Sequence, residues 1–92
     1  MNICTEMIRD TNFRASAVSM IESIVEGSAH VYIDKLYDRV DVSIKGPLPQ
    51  VFHYYEEDFS SRMASGSLDS SRLARNAIYA YDRWIFRNFY KN

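Results

Sequence analysis

Val40-Asp41-Val42-Ser43-Ile44-Lys45 alternates apolar and polar side chains without interruption. A period of two belongs to a β-strand with one dry face and one wet face. Directly after it, Gly46-Pro47-Leu48-Pro49 breaks the chain, because two prolines two apart exclude both helix and central strand. Upstream, His30 to Lys35 is rich in β-branched and aromatic residues and reads as a partner strand. The intervening Leu36-Tyr37-Asp38-Arg39 is short enough for a hairpin, although it lacks the Asn-Gly or Asp-Gly signal. Downstream, Val51 to Tyr55 reads as a third strand at an edge.

Helices flank this sheet. Residues 3–26 read as one helix: Ile3, Met7, Ile8, Ala15, Val18, Ile21 and Val25 fall on one face, widened by Phe13, Ala17, Met20 and Ile24. Asp10, Thr11 and Asn12 are N-cap types, so the helix can restart near Thr11. Gly27 suits the C′ position. After the sheet, Glu56-Glu57-Asp58 can open a short helix that Gly66 stops. Asp69 is an N-cap for a long last helix, with Leu68 and Leu73 placed as a hydrophobic staple. Leu73, Ala77, Ile78, Tyr81, Trp84, Ile85 and Phe89 make its apolar face.

The expected fold is therefore α+β, one domain over residues 1–92. A three-stranded antiparallel sheet (about 29–35, 40–45 and 51–55) packs against an N-terminal helix and a long C-terminal helix, in the order α-β-β-β-α(α). The hydrophobic content of 47% and charged content of 25% are those of a globular chain. Cys4 has no second cysteine to pair with. The N-terminal decapeptide carries Glu6, Arg9 and Asp10 where a leader would be apolar. Both features set the expectation of a cytoplasmic protein.

Charge is distributed unevenly. Residues 1–68 hold six Lys/Arg against ten Asp/Glu, a balance of −4; residues 69–92 hold five against two, a balance of +3. The last helix carries Arg72, Arg75, Arg83 and Arg87 opposite its apolar face, with Tyr79, Phe86 and Tyr90 along the border. Guanidinium groups beside aromatic rings can meet phosphates and bases. The plainer explanations are a solvated face, or pairing with Glu22, Glu26 or the 56–58 run. A sequence pI of 6.1 stands well below that of most nucleic-acid-binding domains.

Signatures of chemistry are sparse. His53 precedes an acidic run, but HExxH spacing is absent, and His30 lies on another strand. The serines at 60, 61, 65, 67, 70 and 71 stand outside any GxSxG elbow and suit caps and turns. Gly27, Gly46 and Gly66 are too scattered to cradle phosphate. Asp34, Asp38 and Asp41 add acid to the sheet side.

The resulting expectation is a small non-enzymatic protein-binding module without cofactor or metal, an inhibitor or adaptor. Its size and composition resemble phage and mobile-element proteins that block a host machine, such as a defence complex or another nucleic-acid-handling assembly. The chain's seven tyrosines suit an interface. The interaction candidates are Tyr32, Tyr37, Tyr54, Tyr55, Glu56, Glu57 and Asp58 on the sheet side, and Tyr79, Arg83, Phe86 and Arg87 on the helix side. The alternative is nucleic-acid binding through Arg72, Arg75, Arg83, Arg87 and Lys91. A third reading is a homodimer that buries Phe86, Phe89 and Tyr90.

Overall fold

The computed structural model describes residues 3–90. Helix α1 (Ile3–Glu22) leads into strands β1 (Ser28–Asp34), β2 (Arg39–Lys45) and β3 (Phe52–Glu56). Helices α2 (Phe59–Ser65) and α3 (Ser70–Ile85) follow, and α3 runs on into a π-helical tail, Phe86–Tyr90. The three strands form one antiparallel sheet in the order β1-β2-β3. The α+β architecture and its element order are those expected from the sequence.

The alternation in β2 sets the layers. Val40, Val42 and Ile44 are fully buried, and cross-strand pairing aligns them with Ile33, Val31 and Ala29 of β1. On the other side they align with Glu56, Tyr54 and Phe52 of β3. This inner face meets Phe13, Ala17 and Ile21 of α1 and Leu73, Ala77 and Tyr81 of α3 in one core. Both long helices therefore lie on one side of the sheet, α1 against β1 and α3 against β3. Among the described residues neither long helix covers the outer face.

Several boundaries differ from the sequence reading, each for a physical reason. Helix α1 ends at Glu22 and not at 26, because Ile24 and Val25 both bond back to the Ile21 carbonyl in a tightening turn. Gly27, at φ 139°, serves the entry into β1 and not the helix end; a Cβ there would overlap the Lys45 carbonyl oxygen. Asp10 does not cap a restarted helix. It sits buried within α1 and receives Lys35 Nζ at 2.6 Å. The buried seam of α1 runs Asp10, Phe13, Ala17, Ile21, while Met7, Ile8, Ala15 and Ile24 face outward. The side chain of Ile3 lies outside the described set.

Helix α2 follows the acidic run directly and Gly66 closes it, as expected, but the run's side chains do not cap it. Glu56 is the last residue of β3 and points into the core. Asp58 adopts the left-handed conformation (φ 56°) and makes no side-chain cap. The cap comes instead from the β1–β2 turn: Asp38 Oδ1 accepts from Ser60 N at 2.9 Å and from Ser60 Oγ at 2.6 Å, and the Asp38 carbonyl accepts from Phe59 N. Helix α3 begins as expected, with Asp69 accepting from Arg72 N at 2.8 Å and Leu68 and Leu73 both buried. Phe89 does not continue the buried face; it is half exposed.

The two long helices are staggered. Ser16 of α1 meets Ser70 at the start of α3. Val25, just past the end of α1, shares a groove with Tyr81 and Ile85. Helix α3 thus continues beyond the end of α1. The molecule is elongated, measuring 53 × 21 × 20 Å.

Candidate functional site

Three clusters gather the candidate residues. The first is internal. Glu56, only 7% exposed, receives the Tyr54 hydroxyl at 2.5 Å and Asn76 Nδ2 at 2.7 Å on one oxygen. Arg62 bonds the other oxygen. Burial alone would push the Glu56 carboxyl up, but the bonds from Tyr54, Arg62 and Asn76 outweigh it and hold the carboxyl below its usual range. Burial, followed by the adjacent carboxylate, drives the Tyr54 hydroxyl far above its ordinary value, which keeps it a donor. This knot ties β3 to α2 and α3. Two expected interface residues, Tyr54 and Glu56, are therefore turned inward, because both share the parity of Phe52 in β3. Glu57 and Asp58 are exposed at the turn that follows.

The second cluster is the open face of the sheet. Pairing sets Tyr32, Asp41 and Tyr55 in one row, with His30, Ser43 and His53 in the next. Arg39 reaches over two rings, 4.8 Å from Tyr55 and 5.8 Å from Tyr37. His53 Nδ1 lies 3.7 Å from Asp41 Oδ1, which is buried and has no hydrogen-bond partner among the described residues. Asp34 spends its carboxylate on the Leu36 and Tyr37 amides and Asp38 on the α2 start, so the sheet-side acids are largely committed to turns. Tyr32, Tyr37 and Tyr55 remain exposed.

The third cluster is the end of α3. Its root is a ring triad: Phe52 packs 5.6 Å from Tyr81 and 5.2 Å from Trp84. Beyond Ile85, among the described residues, the aromatic side chains stand open to solvent. Phe86 is 60% exposed, Phe89 51% and Tyr90 66%. Arg83 lies 5.6 Å from the Tyr79 ring and donates to its hydroxyl at 3.4 Å. Tyr79, Asp82, Arg83, Phe86 and Arg87 line a shallow surface groove. Arg72, Arg75, Arg83 and Arg87 are all exposed, and among the described residues none lies within ion-pair distance of a carboxylate. The pairing with Glu22, Glu26 or the 56–58 run weighed from the sequence is not formed; the arginine on Glu56 is Arg62. Lys91 lies outside the described residues.

Among the described residues no three His, Cys, Asp or Glu side chains converge to hold a metal ion, and no helix is long and apolar enough to cross a membrane. No protein-family model, curated protein or solved structure matches the chain.

Proposed function

We propose that this chain is a protein-binding module, an inhibitor or adaptor, and that the end of α3 is its working surface. One observation carries this reading: an aromatic and arginine-rich helix end outruns the body, and nothing in the described fold uses it. Exposed aromatics beside arginine are the residue types that dominate binding energy in protein interfaces. They stand on a helix whose root is locked by Phe52, Tyr81 and Trp84, so the surface is presented in a fixed direction. Occupying a partner's groove would suffice to block or bridge it, as in a mobile-element protein that disables a host machine. The test is affinity capture from host cells with the wild-type chain and with the triple variant Arg83→Ala, Phe86→Ser, Arg87→Ala. A partner held by the wild type and lost by the variant supports the reading. An identical set of captured proteins overturns it.

Four arginines without a carboxylate partner among the described residues support a second reading, nucleic-acid binding along the same helix. It predicts affinity falling steeply with salt and weakened by Arg83→Ala and Arg87→Ala. Failure to shift single- or double-stranded probes at low salt disposes of it.

A further inference from the structure

We propose that the free edge of β1 is a dimerisation edge, on which a second copy of this chain adds its own β1 antiparallel about a two-fold axis at Tyr32. The inference stands apart from the proposed function, since it uses neither the tail nor the arginines.

Strand order leaves β1 at the margin of the sheet. Such margins are normally guarded by proline, lysine, a bulge or brevity. Strand β3, at the other margin, is five residues long and follows Pro47 and Pro49. Strand β1 has seven residues, no proline and no lysine, and its register with β2 is unbroken from Ser28 to Asp34.

The direction of its free groups can be read directly. The Ala29 amide donates to Glu22 Oε2 at 2.8 Å, so it points away from β2. In an antiparallel pair, residues bonded to the neighbour alternate with residues bonded outward. Val31 and Ile33 therefore also offer their N–H and C=O groups to the open side. A two-fold at Tyr32 sets Val31 of one copy opposite Ile33 of the other, each exchanging both groups. It leaves the Ala29 amide on Glu22 in both copies, whereas centring on Val31 would need that amide released. It also sets His30 against Asp34 of the second copy and leaves no like charges opposed.

Helix α1 is prepared on the same side. Ile8, Thr11, Ala15 and Val18 repeat at intervals of three and four, the spacing of a helix–helix seam. Ile8 and Ala15 are exposed, although both sit on the apolar face that the sequence assigns to the core. Thr11, Ala15 and Val18 line a groove with Ala29, His30 and Val31, directly above the free edge. A two-fold normal to the sheet brings the two α1 helices together antiparallel over this groove. Ala15, near the axis, permits close approach of the two helices.

The test combines mass with amide exchange. Sedimentation of the whole chain is expected to give twice 10.7 kDa at high concentration. The Val31 and Ile33 amides are expected to become protected as the dimer forms. Ala15→Glu, at an exposed site, is expected to abolish the dimer and leave the helical signal unchanged. The pair Phe86→Ser and Phe89→Ser is expected to leave the dimer intact. A single-chain mass up to about 1 mM, a weaker affinity than most specific complexes reach, overturns the proposal. So does a dimer in which Val31 and Ile33 still exchange freely, or one lost through the tail changes and kept by Ala15→Glu. None of these readings depends on capture of another protein.

Discussion

The knot around Glu56 and the tail around Arg83 and Arg87 use the same kinds of side chain to opposite ends. In the knot, a carboxylate, a guanidinium, an amide and a phenol close on one another. In the tail, the Arg83 guanidinium leans on the Tyr79 ring and Phe89 on Tyr90, but the charges meet no carboxylate among the described residues. Charge enclosed by its partners maintains the fold; charge left open is free to act on something else. Mutations should separate the two sharply.

The largest effect is expected from Glu56→Ala. It strands Tyr54, Asn76 and Arg62 together, and breaking a buried pair typically destabilises by about 3–5 kcal/mol. The low end applies here, since the Arg62 side chain keeps 31% of its surface in water. Urea unfolding measures it, and a loss under about 1 kcal/mol would show that the knot is not structural.

Acid probes the same carboxyl without mutation. Its folded value lies below the ordinary glutamate value of 4.5, so its contribution is complete above that pH and is lost as pH falls through the depressed folded value. Melting temperature should drop with acid in the wild type and less steeply in Glu56→Gln. Parallel slopes would assign the acid sensitivity to other groups.

Gly46 sits between the two regions, against the root of the tail. A Cβ there would overlap the Tyr81 hydroxyl, and overpacking of this kind costs about 1–3 kcal/mol. That hydroxyl is buried without a partner among the described residues, so Tyr81→Phe should be nearly neutral alone and should recover part of the Gly46→Ala loss. Additive losses in the double variant would place the strain elsewhere.

The smallest effect on stability is expected from Arg83→Ala with Arg87→Ala, within about 0.5 kcal/mol as for surface changes generally. Both changes belong to the triple variant expected to lose partner capture. A large loss of stability would mean that the tail, like the knot, belongs to the fold.

What was legible in the sequence was local. The period of two in β2 and the caps of α3 act within a few residues, so their signals lie side by side in the chain. The polar contacts that fix the rest are distant. Glu56 is met by residues 6 and 20 positions on, and Asp10 by Lys35, 25 positions on. An acidic run after a strand looks the same whether its first member is solvated or enclosed. Its inward parity with Phe52 and Tyr54 was the available sign. In α1, apolar residues occupy more than half the circumference, so periodicity alone could not distinguish the Phe13–Ala17–Ile21 seam from the Ile8–Ala15–Val18 stripe. The α3 end was readable as basic and aromatic; that it outruns the body depends on the stagger of two helices.

The cap that Asp38 lends to α2 carries a kinetic consequence. Seven residues are far below the ~12–15 at which an isolated helix becomes even marginal. Its first turn is held by a carboxylate twenty-two positions upstream, at the tip of another element. The turn between β1 and β2 must close before that carboxylate is in place. Helix α2 is therefore expected to form late, on a hairpin that already exists. Mutations within it should accelerate unfolding and leave the folding rate almost unchanged.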